Sequence, residues 1–291
     1  MTEKFIGFDI GGTKIMQAVI EINFSRRSFD FLDMETIKNP LNEEKIKDLI
    51  SDYCKENKSK FNTNKVAISS ASITDINSLK IFQVDNIYGV KEFSFGFLKK
   101  AGYQVVLEND GKSFALGQYY FKKNEDAQGL LTLTLGSGIG GGFINSEGQL
   151  LTGKNNTATE FGHIKMSIDG RWERWEWISA GRGIEKFYEQ KSNQKKSTKE
   201  IFENINDDEI AQEVIAKSEE YLGQGIASLI NIFNPEKIVF GGSISSQKSY
   251  LERAMKISEI NIFNKNAFPE WEISELKAEM NVLGVCSLYY V

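Results

Sequence analysis

Apolar and polar positions along the chain switch between the strand period and the helix period. Phe5-Ile6-Gly7-Phe8-Asp9-Ile10 is a short β-rich run, Gly11-Gly12 interrupts it, and Thr13 to Ile20 resumes it. This predicts strand, tight glycine turn, strand. The design returns downstream: Gly129 to Leu135 is a strand, Gly136-Ser137-Gly138-Ile139-Gly140-Gly141-Gly142 a turn, and Phe143-Ile144 the next strand. Two copies of one unusual hairpin point to an internal duplication, each heading one lobe. Between them the pattern predicts a helix over 42–57, strands over 65–70 and 103–107, and a helix over 111–123 that opens beside Asn109-Asp110. Helical patterning resumes near Ile184, and 190–199 reads as a polar surface loop. Ile210, Val214, Leu222, Ile226, Leu229 and Phe233 then mark a long helix, with Asn206 or Asp207 as its cap and Pro235 as its stop. Lys237 to Phe240 is a short strand into Gly241-Gly242, and 282–291 a closing helix. Alternating strands and helices make the class α/β.

Composition narrows the function classes. With 35 Lys and Arg against 40 Asp and Glu, the net charge is −5. That balance disfavours broad binding to nucleic acid or anionic membranes. The two cysteines, Cys54 and Cys286, are too few and too far apart for a disulfide framework, and a reducing cytoplasm is the expected location. The N-terminus has no basic stretch followed by an apolar one, so no signal peptide is predicted. Ala127 to Ser146 is uncharged, but its six glycines make it a poor membrane span.

The glycine turns are where chemistry is expected. In Asp9-Ile10-Gly11-Gly12-Thr13-Lys14 a glycine pair lets backbone approach a phosphate, Thr13 and Lys14 add a hydroxyl and a positive charge, and Asp9 could hold Mg²⁺. A plain hairpin turn is the competing reading. Five glycines between Gly136 and Gly142 are costly to order and add nothing to a core, which fits backbone N–H groups facing an anion. This is not the dinucleotide fingerprint, because a strand follows it.

Taken together, the motifs resemble the ROK family of sugar kinases and repressors, within the two-lobed actin-like ATPase (ribonuclease H-like) fold. Asp9 to Lys14 resembles the family's first phosphate motif and Leu135 to Gly142, with Gly136, Ser137, Gly138 and Gly140, its second. Glu108-Asn109-Asp110 resembles its Glu-Asn-Asp. Glu160-Phe161-Gly162-His163 resembles its Glu-x-Gly-His sugar motif. Asn234-Pro235 to Gly241-Gly242-Ser243 resembles its adenosine-site strand and turn. The resemblance implies ATP and Mg²⁺ as cofactors, Asp110 as the base that accepts the proton of the attacking sugar hydroxyl, and Asn86, Asn109, Glu160, His163 and Glu176 as sugar ligands. Carboxylates and amides are suited to reading a polyol. Asn109-Asp110 also fits a simple helix cap. The implied lobes are 1–113 plus 280–291, and 114–279, with the active site in the cleft between them. The expected partners are a small-molecule sugar and ATP; a homodimer is left open.

The chain also departs from that pattern. Most kinases of the family carry a Cys-x-Cys-Gly-x-x-Gly-Cys loop after the sugar motif, which forms a zinc site with its histidine. Here no cysteine follows His163, so no zinc site is expected. Trp172, Trp175 and Trp177 occupy the stretch, either as a local hydrophobic cluster or as an aromatic platform for the sugar. Repressors of the family carry a winged helix ahead of the first glycine motif, whereas this chain reaches Asp9 at once, so the kinase branch is expected. A non-catalytic sugar-binding protein ranks last, since Asp110 is present. Among the kinases, the similarity runs to the bacterial N-acetylmannosamine branch: Asn86-Ile87-Tyr88-Gly89 puts Gly where glucokinases commonly have Trp, leaving room for an N-acetyl group. The expected reaction is phosphorylation of the 6-hydroxyl of N-acetylmannosamine, with glucose the alternative.

Overall fold

The computed structural model describes residues 2–82, 91–122 and 124–290. In chain order its elements are β1 (Glu3–Ile10), β2 (Lys14–Asn23), β3 (Ser28–Lys38), α1 (Glu43–Phe61), β4 (Lys65–Ser70), β5 (Ile73–Asp75), β6 (Lys80–Phe82), β7 (Glu92–Ser94), α2 (Gly96–Lys100), β8 (Gln104–Asn109) and α3 (Asp110–Phe121). There follow β9 (Leu130–Leu135), β10 (Ile139–Ile144), β11 (Lys165–Ile168), β12 (Arg171–Arg174), α4 (Glu176–Ser179), α5 (Gly181–Ser192), α6 (Thr198–Glu203), α7 (Glu209–Phe233), β13 (Lys237–Gly241), α8 (Lys248–Asn261), β14 (Glu270–Ile273) and α9 (Ala278–Ser287). The chain forms two compact units: Met1–Asp126 with Glu147–Ala158 and Leu276–Val291, and Ala127–Ser146 with Thr159–Glu275.

In the first unit β1 sits inside the sheet β3-β2-β1-β4-β8. It pairs antiparallel with β2, closing at Ile10↔Ile15, and parallel with β4. Because side chains alternate along a strand, β1 buries both faces. Ile6, Phe8 and Ile10 meet Ile46, Ile50 and Cys54 of α1. Phe5, on the other face, joins Val282, Leu283 and Val285 of α9. Glycine permits that second contact: a Cβ at Gly7 would strike Val282, and one at Gly284 would strike the Ser113 carbonyl of α3.

The second unit repeats the design with the sheet β10-β9-β13-β14. β9 and β10 form an antiparallel hairpin closing at Leu135↔Ile139, and β9 runs parallel to β13. The hairpin-plus-parallel-strand motif therefore occurs twice, as the duplicated glycine turns predicted. The long stripe is α7, whose buried residues Val214, Leu222, Ile226 and Leu229 belong to the core under this sheet.

Some boundaries differ from the sequence reading, each for a local reason. Gly140, Gly141 and Gly142 lie in β10 and not in the turn. Gly141 answers to packing, since a Cβ there would meet the Thr132 carbonyl and come within 2.9 Å of the Phe161 ring. The cap of α7 is Asp208, which accepts the Ala211 N–H at 3.0 Å. The predicted loop over 190–199 holds the end of α5 and the start of α6, where Ser197 and Glu200 form a reciprocal capping box. The closing helix spans Ala278–Ser287. No helix among the described residues is long and apolar enough to cross a membrane.

Candidate functional site

The candidate residues fall into two groups, one per unit. In the first unit, Asp9 ends β1 and the Gly11-Gly12 turn follows it. The Gly11 N–H donates to the Lys14 carbonyl at 3.0 Å. Buried Asn39 fastens this turn: its Nδ2 donates to the Gly11 carbonyl at 2.7 Å and its N–H to the Thr13 carbonyl at 2.9 Å. Thr13 and Lys14 are exposed, and a Cβ at Gly11 would meet nothing closer than the Lys14 carbonyl at 3.4 Å. Packing therefore does not demand glycine at Gly11.

Asp9 accepts from Ser69 Oγ at 2.7 Å and from Asn281 Nδ2 at 3.1 Å, both at Oδ1. Burial and the neighbouring Asp110 carboxyl push its pKa up to about 7. A cation suits such a site. Two hard-oxygen carboxylates repel one another there, and a divalent cation of the magnesium type would offset that repulsion. Among the described residues no group of three or more His, Cys, Asp or Glu could hold a metal, so protein ligands at Asp9 and Asp110 would have to be completed by water or phosphate.

Asn109 and Asp110 link β8 to α3. The Asn109 Oδ1 accepts the Lys112 N–H at 3.2 Å, so this side chain does cap the helix, and its Nδ2 donates to the Ser72 carbonyl at 3.1 Å. Each polar end of the amide still has capacity for one more bond. Asp110 accepts the Gly111 N–H at 2.9 Å, and burial holds its pKa above the usual carboxylate range. Beneath them lies a network with no counterpart in the sequence reading. The buried Glu108 Oε1 accepts from the Asn109 N–H at 2.7 Å and from Asn156 Nδ2 at 2.6 Å, while Lys112 Nζ donates to the Asn156 carbonyl at 3.1 Å. It fixes the backbone just before Asp110. Asn86 lies outside the described residues.

In the second unit, the turn Gly136–Gly138 closes with the Gly136 N–H donating to the Gly138 carbonyl at 3.0 Å. The start of α5 backs it, with the Gly181 N–H on the Gly136 carbonyl at 2.8 Å and the Arg182 N–H on the Ser137 carbonyl at 3.3 Å. Gly140 pairs with Thr134 inside the hairpin. Gly241 pairs with Thr134 across β13, Gly242 takes φ +87° against the Leu135 backbone, and Ser243 begins the next turn. The two glycine turns of this unit are thus neighbours along one sheet end.

Glu160 precedes a single 3₁₀ turn, Phe161–His163. Glu176 opens α4 and meets that turn: its Oε1 lies 3.9 Å from His163 Nε2, and its Oε2 lies 2.7 Å from where a Cβ on Gly138 would sit and 2.9 Å from where one on Gly162 would. The second glycine turn and the His163 turn therefore meet at the carboxylate of Glu176. Arg174, missed in the sequence reading, donates from Nη1 to Glu176 Oε1 at 3.5 Å, and the same Nη1 lies 3.5 Å from His163 Nε2. The three tryptophans do not form one cluster. Trp175 is fully buried against Gly225 and donates to the Tyr221 carbonyl at 2.9 Å, whereas Trp172 and Trp177 are exposed. The stretch itself is the β11–β12 hairpin. Both cysteines are buried in the first unit, where burial pushes the Cys54 thiol up to about 12.

Comparison with known proteins gives consistent findings. The ROK family model matches residues 5–289. A glucokinase of Streptomyces coelicolor is 26% identical, covering 83% of this chain and 82% of its own. An N-acetyl-D-glucosamine kinase of Vibrio vulnificus is 27% identical over 87% and 88%. The structure of a ROK family glucokinase from Streptomyces griseus, in complex with glucose and AMPPNP, superposes with a TM-score of 0.80 at 23% identity, covering 98% of this chain and 99% of that one.

Proposed function

The chain belongs to the ROK family, and from that premise we propose that it is a sugar kinase, transferring the γ-phosphate of ATP to a hydroxyl of a hexose or N-acylhexosamine. The observation that carries this reading is the acid pair of the first unit: Asp110 at the start of α3, and Asp9 beside the Gly11-Gly12 turn, whose Thr13 and Lys14 are exposed. Burial raises the proton affinity of Asp110, which is the direction a general base needs. Asp110 would accept the proton of the attacking hydroxyl and hold that oxygen in line with the phosphorus. The Gly11-Gly12 and Gly136–Gly138 turns would bind phosphate through backbone N–H groups, and Gly241-Gly242-Ser243 the adenosine. Glu160, His163, Glu176 and Asn109 would read the sugar hydroxyls. Mg²⁺ held by Asp9, directly or through water, would neutralise charge on the phosphate oxygens.

We propose N-acetylmannosamine, phosphorylated at its 6-hydroxyl, as the sugar. The support is Gly89, where a glucokinase of the family commonly has Trp. Glucose is the second reading, favoured by the Streptomyces coelicolor relative. A coupled ADP-release assay over glucose, N-acetylglucosamine and N-acetylmannosamine tests both. A pocket shaped for the acetyl group should favour N-acetylmannosamine over glucose by at least about tenfold in kcat/KM. A preference for glucose overturns the finer assignment, and no turnover with any sugar overturns the kinase itself.

A further inference from the structure

Arg174 stands at the end of β12, two residues before Glu176. Its position is poorly explained by hairpin stability, because its direct cross-strand partner is Lys165, and like charges facing each other in a ladder are unfavourable. The face of Trp177 holds the guanidinium instead, at 5.2 Å, with Lys165 and Lys186 each 5.8 Å from the same ring. A guanidinium stacked on an aromatic face keeps its in-plane donors free. One of them, Nη1, points at two candidate sugar ligands at once, 3.5 Å from His163 Nε2 and 3.5 Å from Glu176 Oε1.

Arginine has donors and no acceptor, and it stays charged at any pH the protein meets. Whatever nitrogen faces it must therefore offer a lone pair. We propose that Arg174, braced by Trp177, is the positioning residue of the sugar side: it holds the Glu176 carboxylate and fixes His163 as the tautomer with its proton on Nδ1. The ring can then present only an Nδ1–H donor to a ligand, so a hydroxyl that meets it accepts there. Glu176, with Oε1 engaged by Arg174, keeps Oε2 beside Gly138 and Gly162 for a hydroxyl that donates. Two adjacent hydroxyls would then be read with opposite polarity, by groups that one cation orients. The kinetic part of this proposal rests on the sugar-kinase reading; the tautomer does not.

His163 is the only histidine in the chain, so its ring gives a single set of signals in a long-range ¹H–¹⁵N correlation spectrum of uniformly labelled protein. In mildly alkaline buffer the wild type should show Nδ1 protonated and Nε2 bare. Arg174→Met keeps an aliphatic stem on Trp177 and removes the donors, and should shift the ring toward the Nε2–H form. In turnover assays the same variant should raise the sugar KM by roughly 10–100-fold, with the ATP KM within about twofold, and added guanidinium should recover part of the loss. A wild-type ring protonated on Nε2, or ring signals unchanged in Arg174→Met, overturns the proposal. Because the spectrum needs no substrate, it decides the matter even if no sugar is turned over.

Discussion

The two glycine turns share one topology and differ in what surrounds them. The Gly11-Gly12 turn is fastened from the side by Asn39 and stands next to two acids, with no packing atom near enough to demand glycine at Gly11. The Gly136–Gly138 turn is backed by the N-terminus of α5, and Gly138 is crowded by the Glu176 carboxylate. Packing does not require glycine at Gly11 or at Gly136, whereas Gly138 leaves room for a side chain of the protein itself. The first unit thus concentrates charge that burial makes costly, and the second concentrates directional hydrogen bonding. The same backbone motif thus stands in two different surroundings.

The sharpest way to test this division is Asp110→Asn. The variant is nearly isosteric and cannot take a proton, so turnover should fall roughly 10²–10⁴-fold while both KM values hold. Turnover within threefold of wild type would make Asp110 a helix-start residue only. Its counterpart in the second unit, Glu176→Gln, should instead raise the sugar KM more than it lowers kcat.

Next in size is the cost of charge at Asp9. Its folded pKa of about 7 lies above the ordinary value of 3.8. The sign follows: its contribution to stability is fully present below pH 3.8 and is lost as pH rises through 7, because the native state resists ionising it. At roughly 1.36 kcal/mol per unit the loss reaches a few kcal/mol. Asp9→Asn can still accept from Ser69 and Asn281. In metal-free buffer it should match the wild type near pH 4 and exceed it in Tm by a growing margin up to pH 7. A margin independent of pH would contradict the shift.

The glycines themselves provide a smaller contrast. Gly138→Ala should cost about 1–3 kcal/mol by displacing Glu176, whereas Gly136→Ala, with nothing within 4 Å of the new Cβ, should stay within about 0.5 kcal/mol. If Gly136→Ala raises the ATP KM at unchanged stability, that glycine serves a ligand. The smallest expected effect is that of a strong chelator. With His163 in one unit and both cysteines buried in the other, thermal unfolding should be unchanged and elemental analysis should find no stoichiometric zinc.

Much of the fold was legible because its signals are local. The β1 turn, the start of α1 near Asn42 and the stop at Pro235 all rest on neighbouring residues. What could not be read depends on partners far along the chain. Asn281, Ser69 and Asn156 gain their roles only when folding brings them to Asp9 and Glu108. Asn39 was closer to view, since an Asn-Pro pair ending a strand is a recognisable turn, yet its target is Gly11. Gly140 to Gly142 looked like loop because composition cannot distinguish a glycine that frees backbone from one that makes way for a Phe161 ring. Arg174 was hidden in a stretch whose tryptophans drew attention and whose strand pairing gave no clear period.

The contact between Gly7 and Val282 sets a timetable. During synthesis β1 leaves the ribosome early and Phe5 can meet Phe24 at once, but Val282, Leu283 and Val285 of α9 join that face only after all of the second unit has been made. At 5–20 residues per second, that leaves the Phe5 face without its α9 partners for on the order of ten to fifty seconds. Over that interval an apolar strand face is open to other chains, so the yield of folded protein should depend on how quickly translation proceeds from Ile10 to Ala278.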